Sequence, residues 1–228
     1  SLRAFMPDPS LFQDMDRAAE RVADAVAAGE SVAVYGDYDV DGATSAALLI
    51  RLLADLGLAA RPYIPDRLLE GYGPSAEALV RLKDEGASLV ITVDCGAQAF
   101  EALEAARDAG LDVIVVDHHK CSPALPPALA LVNPNRLDEA PEAAAHGHLA
   151  AVGVAFLLGA ALVRTLRARG WFAEKAEPDL MALLDLVALG TVADVAQLEG
   201  HHRALEAQGQ NATARRGNIR LSAPAGDA

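Results

Sequence analysis

The sequence predicts an α/β fold, with an open, mainly parallel sheet covered by helices on both faces and a helical segment after it. Short apolar runs rich in valine and isoleucine alternate with stretches of helical period about 10 to 15 residues long, as in crossover units that join parallel strands. The chain has 228 residues, of which 52% are hydrophobic. That length suffices to bury a substantial core.

The first two predicted strands each follow a helix. Residues 11–30 carry apolar side chains at helical spacing, and Gly29 suits the end of that helix. Residues 31–36, SVAVYG, form a short apolar, β-branched run that is typical of a buried strand. The next helix is expected at 43–57, and the second strand at 59–65.

Two further helix–strand pairs continue the same pattern. Residues 74–86 have helical periodicity and precede the apolar run SLVITV at 88–93. A helix at 97–110 then precedes LDVIVV at 111–116. Each helix is long enough to carry the chain back across the sheet, so the four strands are expected to run parallel.

The character of the chain changes after the fourth strand, where proline becomes frequent. Residues 122–135 form a proline-rich connection with room for one more short strand, and helices are expected at 149–169 and 178–190. The apolar run at 149–163 is shorter than the roughly 20 residues of a membrane span, so we expect a buried helix and no membrane association. Residues 206–228 lack an apolar period and are expected to form a disordered or atypical tail.

The charge and the cysteines narrow the class of protein. The formal net charge is −13, which disfavours broad nonspecific binding of nucleic acid. Divalent cations held by clustered carboxylates would make the charge locally positive, so a metal-dependent phosphodiesterase stays possible. Cys95 and Cys121 lack the spacing of a metal pair or of a disulfide framework, which favours a reducing, cytoplasmic location.

Three of the predicted strands end in acidic or imidazole side chains. These are Asp37, Asp39 and Asp41 after the first strand, Asp94 after the third, and Asp117, His118 and His119 after the fourth. A single aspartate after a strand is most often a helix cap or a turn residue. Ligands of open parallel sheets, however, bind at the carboxyl edge of the strands. If these strands are neighbours, the carboxylates would repel one another without divalent cations.

A calcium-binding EF-hand loop is the main alternative for the D-x-D-x-D-G pattern. That loop requires a glutamate at its twelfth position, but the twelfth residue counted from Asp37 is Leu48. Mixed carboxylate and imidazole ligands suit Mn²⁺, or else Mg²⁺. Two such ions about 3.5–4 Å apart can activate water and stabilise both the attacking and the leaving oxygen in phosphoester hydrolysis. The chain has no Gly-rich phosphate loop and no dinucleotide-binding fingerprint.

At these motifs the sequence resembles the DHH phosphoesterase superfamily, named for the triplet Asp117-His118-His119. Within it, the segments GDYDVDG, YIPDRLLEGYG, VDCG, VDHH, LVNPN, AVGVAF and LGTVADV are similar, in the same order, to those of the RecJ single-stranded-DNA exonucleases. The resemblance runs from about residue 11 to about residue 205. It departs at Tyr35, where some relatives have histidine.

The resemblance implies a role for each matched position. The implied metal ligands are Asp39, Asp41, Asp94, His118 and Asp194. His119 would contact the scissile phosphate or assist proton transfer, and Asp37 would join it in the catalytic set as a ligand or a close neighbour. Arg67 is a candidate for holding a substrate phosphate, because a guanidinium can bind it bidentately. The implied cofactors are two Mn²⁺ or Mg²⁺ ions.

The resemblance also implies a domain organisation and a function. Residues 1–205 would be the DHH catalytic domain, without the DHH-associated and oligonucleotide-binding domains of RecJ proteins, so weak activity is expected. The implied reaction is 5′-to-3′ hydrolysis of single-stranded DNA in DNA repair and recombination. Two alternatives stay open: a phosphodiesterase of short oligonucleotides or small nucleotides, and an inactive DHH scaffold module. The oligomeric state is not predicted.

Overall fold

The computed structural model describes residues 6–194, apart from the side chains of residues 67 and 69. The predicted tail at 206–228 lies outside the described residues. Eight α-helices and five strands are present in the described part: α1 Met15–Ala28, β1 Val32–Gly36, α2 Val40–Asp55, β2 Arg61–Tyr63, α3 Arg67–Glu70, α4 Ala76–Asp84, β3 Leu89–Val93, α5 Phe100–Asp108, β4 Asp112–Val116, β5 Ala130–Val132, α6 Pro141–Ala144, α7 Ala151–Ala168 and α8 Leu184–Ala193. Short 3₁₀ turns lie at Pro9–Leu11, Trp171–Ala173 and Leu180–Leu183.

The five strands form one parallel sheet in the order β2-β1-β3-β4-β5. Alternate side chains of the strands enter two separate cores. Val34 and Ile91 pack with α1, α2, α7 and α8 on one face, whereas Ala33 and Val90 pack with α4 and α5 on the other. The predicted α/β class, with helices on both faces of a parallel sheet, is confirmed.

The edges of the sheet are shorter than predicted. The expected strand at 59–65 contains only Arg61–Tyr63, and Pro62 in its centre is tolerated because β2 lies at an edge of the sheet. The proline-rich connection does contain a further strand, β5, at the opposite edge. Both strands are three residues long, which limits the exposed hydrogen-bonding edge.

The long apolar helix α7 lies in the interior of the protein. Among the described helices it alone has the length and hydropathy of a membrane span, but 72% of it is buried inside the fold. It packs against α1, α2 and α8. The prediction of a buried helix in this region is therefore confirmed.

Helix α2 begins earlier than predicted, at Val40 rather than at residue 43. Asp39 is its N-cap and accepts a hydrogen bond from the Gly42 amide at 2.9 Å. The first turn lies directly on the chain that leaves β1: a Cβ at Gly42 would stand 2.6 Å from the Asp37 carbonyl oxygen and 2.7 Å from its nitrogen. The acidic motif therefore forms the N-terminus of helix α2. Residue 42 is glycine because the Asp37 backbone fills the space that a side chain would need.

We expect Gly42→Ala to lower the thermal midpoint by several degrees, because the new methyl group meets backbone atoms that cannot rotate away. An overpacking cost of about 2–3 kcal/mol corresponds to about 4–12 °C for a chain of this size. Gly153→Ala, in α7, is the matched control, since its Cβ would meet no backbone and only the Leu149 side chain, whose terminal Cδ2 is nearest, at 3.1 Å. Thermal unfolding in the presence of a chelator measures both variants. Equal midpoints for the two would show that the close approach at Gly42 is not needed.

Candidate metal centre and active site

Three aspartates extend the sheet by one residue beyond its central strands. The Asp37 amide donates to the Val93 carbonyl at 3.2 Å, the Asp94 amide to Val116 at 3.0 Å, and the Asp117 amide to Val132 at 3.1 Å. Because β1, β3 and β4 are neighbours, these side chains share one edge. The strand order reverses between β1 and β3, and this is the place where open sheets form a ligand-binding crevice.

Asp41 connects the N-termini of two helices. It lies in the first turn of α2, and its two carboxylate oxygens accept hydrogen bonds from the first amides of α7, Ala151 at 2.7 Å and Val152 at 2.9 Å. The N-cap residue of α7, Ala150, has no capping side chain, so Asp41 supplies the negative charge that a helix N-terminus favours. Burial raises the pKa of Asp41 to about 6, although the two backbone hydrogen bonds oppose this shift.

Asp94 lies at the centre of the site in a left-handed backbone conformation, with φ 61°. Its side chain is buried, and Oδ1 lies 3.2 Å from Nε2 of His118. Burial, together with the negative charge of Asp41, raises the pKa of Asp94 to about 7, while His118 works in the opposite direction. A carboxyl whose pKa is raised in this way can exchange its proton for a cation near neutral pH.

The tautomer of His118 is set by the backbone. Its Nδ1 donates to the Leu149 carbonyl at 3.1 Å, because a carbonyl oxygen can only accept. Nε2 therefore faces Asp94 and lies 3.9 Å from Oδ2 of Asp41. Burial disfavours the imidazolium, but the hydrogen bond and charge of Asp94, with two further carboxylates, raise the pKa of His118 to about 9. A neutral ring would point a lone pair at a carboxylate, so this nitrogen needs either a proton or a metal ion.

Asp194 reaches the same site from the far end of α8. It is the C-cap of that helix, and Oδ2 lies 3.9 Å from Nδ1 of His118. Helix α8 approaches helix α2 closely at Gly190, which has no side chain. A Cβ at this position would stand 2.4 Å from the Thr44 hydroxyl of α2. The helix also runs three residues beyond the predicted end at residue 190, which carries Asp194 to the site.

The potential metal ligands form one continuous cluster of three overlapping groups. They are Asp37, Asp39 and Asp94; Asp94, His118 and His119; and Asp41, His118 and Asp194, with the ligand atoms of each group within 4.8 Å of one another. Asp94 and His118 each belong to two groups. Oxygen and imidazole donors in this mixture fit Mn²⁺ or Mg²⁺, and the buried carboxylates need the positive charge. The structure thus brings together every predicted ligand, with Asp37 and His119.

Asp117 has a different position from the other acidic residues. It belongs to none of the three groups found among residues 6–194. Its Oδ1 accepts from Nδ1 of His119 at 2.8 Å and from the amides of His118 and His119, and its Oδ2 accepts from the Ala97 amide at 2.9 Å. Although burial opposes ionisation, these hydrogen bonds hold the pKa of Asp117 below its usual range. Asp117 therefore fixes the orientation of the His119 ring.

The His119 ring is held by Asp117 through only one of its two nitrogens. Nδ1 is bound to Asp117, and Nε2 is the second nitrogen of this half-exposed ring. The hydrogen bond to Asp117 raises the pKa of His119, while partial burial opposes the shift. A carboxylate-oriented imidazole beside a metal cluster can hold a phosphate oxygen or transfer a proton.

Two asparagines support the site without having been assigned a role from sequence. Asn133 donates to the His119 carbonyl at 2.8 Å, and Asn135 donates to the His118 carbonyl at 2.6 Å. Both follow β5, in the segment LVNPN. A polar residue at the end of a fifth parallel strand is the sequence feature that could have indicated a place near the site. Tyr35 is buried, and its hydroxyl donates to the Gly73 carbonyl at 2.9 Å, which supports the loop after α3.

Arg67 is the one predicted site residue that the structure does not place. Its backbone begins α3 after the N-cap Asp66, but its side chain lies outside the described part of the molecule. Its predicted contact with a substrate phosphate therefore stays a prediction.

Comparisons with known proteins relate this chain to the DHH family and to RecJ exonucleases. Residues 31–191 match the family model described as the DHH family, N-terminal domain. The single-stranded-DNA-specific exonuclease RecJ of Dickeya dadantii is 43% identical over 212 residues, which cover 92% of this chain and 36% of that protein. The RecJ of Bacillus subtilis is 40% identical over 203 residues, 89% of this chain and 24% of that protein. The chain thus spans about a third or less of the length of these relatives.

Solved structures of RecJ proteins are also similar to this chain. A crystal structure of exonuclease RecJ bound to manganese has a TM-score of 0.74 and 34% identity, covering 96% of this chain and 56% of that one. RecJ from Thermus thermophilus in complex with Mn²⁺ has a TM-score of 0.70 and 34% identity, covering 92% of this chain and 28% of that one.

Proposed function

The chain belongs to the DHH family, and we propose that it is the catalytic domain of a RecJ-type exonuclease that hydrolyses phosphodiester bonds in single-stranded DNA. The observation that carries this proposal is the continuous cluster of carboxylates and imidazoles at the carboxyl edge of the sheet. We further propose 5′-to-3′ polarity, a role in DNA repair and recombination, and a cytoplasmic location without a membrane partner. The names of the relatives and the cysteine usage support this assignment.

The cofactors of the proposed reaction are two Mn²⁺ or Mg²⁺ ions. Asp37, Asp39 and Asp94 would hold one ion, and Asp41, His118 and Asp194 the other, with Asp94 within reach of both. When bound, such ions make water nucleophilic at neutral pH and neutralise charge on the phosphate. The protein contributes the fixed ligand geometry, because backbone hydrogen bonds orient Asp39, Asp41 and His118.

His119 is the residue that we propose acts on the substrate directly. Its Nε2 is unoccupied by Asp117, and the ring lines an open cleft next to the ligand cluster. Because Asp117 raises the pKa of His119, the ring is cationic over a wider pH range and can hold a phosphate oxygen. In the same position the imidazolium can donate a proton to the departing sugar oxygen.

A phosphodiesterase of short oligonucleotides is the second candidate, and the charge of the chain favours it. A net charge of −13 offers little attraction to the backbone of a long strand. An inactive scaffold is disfavoured, because a scaffold has no need of a complete ligand cluster.

A nuclease assay on single strands labelled at the 5′ or the 3′ end tests the proposal. With Mn²⁺ the purified chain should release 5′-labelled mononucleotide first, slowly and without processivity, and shorten the 3′-labelled strand stepwise. Asp39→Asn should remove this activity, since asparagine still caps α2 but has lost the charge. Asp55→Asn, at the exposed far end of the same helix and about 24 Å away, is the matched control.

Three results would contradict the proposal. The first is the absence of Mn²⁺-dependent cleavage by the wild-type chain, and the second is equal activity of the two variants. The third is turnover of dinucleotides with no turnover of the long strand, which would favour the second candidate.

A further inference from the structure

A short segment between α6 and α7 contacts two of the potential metal ligands. The Leu149 carbonyl accepts the hydrogen bond from Nδ1 of His118 at 3.1 Å, and the first two amides of α7 donate to Asp41 at 2.7 and 2.9 Å. His118 follows β4, whereas Asp41 lies at the start of α2. We refer to residues 147–152 as the bridging segment, because they join these two side chains.

Asn135 fastens the bridging segment to the loop that carries His118. Its side-chain nitrogen lies 2.6 Å from the His118 carbonyl oxygen and 2.8 Å from the Gly147 carbonyl oxygen. Both partners can only accept, so the two N–H groups of the amide donate one hydrogen bond to each. Asn135 thus ties the backbone of His118 to the segment whose Leu149 carbonyl orients the ring of the same histidine.

Gly147 fits closely against the same amide. A Cβ at this position would stand 2.4 Å from Oδ1 of Asn135 and 3.2 Å from the Ala144 carbonyl oxygen. Any side chain at residue 147 would therefore push the bridging segment away from Asn135. We call the contact of Asn135 with Gly147 and with the His118 carbonyl the Asn135 latch.

The latch is itself anchored to the sheet. Asn133, which is fully buried at the end of β5, accepts a hydrogen bond from the Asn135 amide at 2.7 Å. Its side chain also donates to the His119 carbonyl at 2.8 Å. Asn135 is therefore held at a fixed place relative to the strand ends where the potential ligands lie.

We propose that Asn135 is a positioning residue that sets the geometry of one of the two metal ions through the bridging segment. This ion is the one assigned above to Asp41, His118 and Asp194. Without the latch, the bridging segment would move, and with it the acceptor that orients His118 and the amides that orient Asp41. Outer-shell contacts of this kind fix the orientation of metal ligands. The inference rests on the metal centre of the proposed function.

The latch should affect the two ions unequally. Asp39, a ligand of the other ion, is oriented by the Gly42 amide at 2.9 Å. Asp94 is fixed by its amide hydrogen bond to the Val116 carbonyl at 3.0 Å. Neither of these contacts involves the bridging segment. Loss of the latch should therefore weaken one ion, whereas a general loss of stability would weaken both.

Calorimetric titration with Mn²⁺ in two backgrounds tests this inequality. Asp39→Asn weakens the other ion and so isolates the ion of the latch, and Asp194→Asn does the reverse. Asn135→Ala should weaken Mn²⁺ binding by about 10- to 100-fold in the Asp39→Asn background, the usual effect of losing an outer-shell partner, and by less than about 3-fold in the Asp194→Asn background. Leu103→Ala, in the core on the opposite face of the sheet, is the control, because it should lower the thermal midpoint and leave both ions unchanged.

Gly147→Ala opens the same latch while Asn135 is intact. Because its Cβ would clash with Oδ1 of Asn135, this variant should weaken the same ion by itself. In the Asn135→Ala chain the clashing atom is gone, so the addition of Gly147→Ala should cause little further loss. The two effects should therefore be strongly non-additive in a double-mutant cycle.

The Nδ1 proton of His118 gives a readout that requires neither metal nor hydrolysis. In the chelator-treated wild type we expect a slowly exchanging proton resonance, since the Leu149 carbonyl holds this hydrogen, and faster exchange in Asn135→Ala. Unchanged exchange, equal loss of both ions, loss of neither ion, or additive effects of the two latch variants would each overturn the proposal. A chain that gives all the expected results but cleaves no DNA would leave the latch standing and reject the nuclease function.

Discussion

Asp94→Asn should reduce Mn²⁺-dependent cleavage of single-stranded DNA by about 1,000-fold or more, because Asp94 is the carboxylate common to two of the ligand groups. A loss of about 4 kcal/mol of transition-state stabilisation is within what a metal site supplies. Asparagine also tolerates the left-handed conformation of Asp94, so the backbone should be unchanged. Initial rates with Mn²⁺ measure the effect, and Asp55→Asn is the control.

The same substitution should stabilise the metal-free protein. Burial raises the pKa of Asp94 to about 7, above its ordinary value of 3.8, so the folded state binds this proton more tightly than the unfolded state. The resulting stabilisation is complete below about pH 4 and is lost as pH rises through 7. Asparagine carries no such charge, so at pH 8 with a chelator the variant should melt several degrees above the wild type, and the gap should close at pH 4. A lower midpoint at pH 8 would show that the charge of Asp94 is compensated without metal.

His119→Ala should lower the rate of cleavage by about 100- to 10,000-fold, the usual contribution of a positioned acid or base. Because Nδ1 of His119 is bound to Asp117, the ring is placed to act on substrate, and Mn²⁺ binding should change by only a few-fold. Parallel measurements of turnover and of Mn²⁺ affinity distinguish the two roles. A large loss of Mn²⁺ affinity would instead make His119 a ligand.

Asp117→Asn provides the companion test of how His119 works. The hydrogen bond that His119 donates to Asp117 raises the pKa of His119, so the imidazolium persists to higher pH in the wild type. With asparagine, the decline of the rate at high pH should therefore begin at a lower pH. An unchanged pH profile, whatever the absolute rate, would contradict the assignment of a cationic His119.

The sequence predicts those parts of the site in which an acidic or imidazole residue comes directly after a strand. Asp94, Asp117 and His118 come immediately after apolar runs, and the rule that parallel strands share one carboxyl edge places them together. Asp194 could not be placed in this way. Its contribution depends on the length of α8 and on the close approach at Gly190, which are properties of tertiary packing.

Other features depended on contacts that no local pattern contains. The start of α2 at Val40 results from the Asp39 cap and from the Gly42 backbone lying on Asp37, so helical periodicity placed it three residues too late. The position of the Tyr72 ring was also hidden, because no local pattern relates residue 72 to residue 119. Only the fold brings that ring to the side of His119.

Titration of the wild-type chain with Mn²⁺ by calorimetry tests the central claim most directly. We expect two ions per chain and the release of protons, because His118, with a pKa of about 9, and Asp94, with a pKa of about 7, must give up theirs to the metal. The affinity should rise between pH 6 and 9, and Asp94→Asn should weaken both sites. Binding of no Mn²⁺, or unchanged binding of two ions by Asp94→Asn, would contradict a metal centre built at these strand ends.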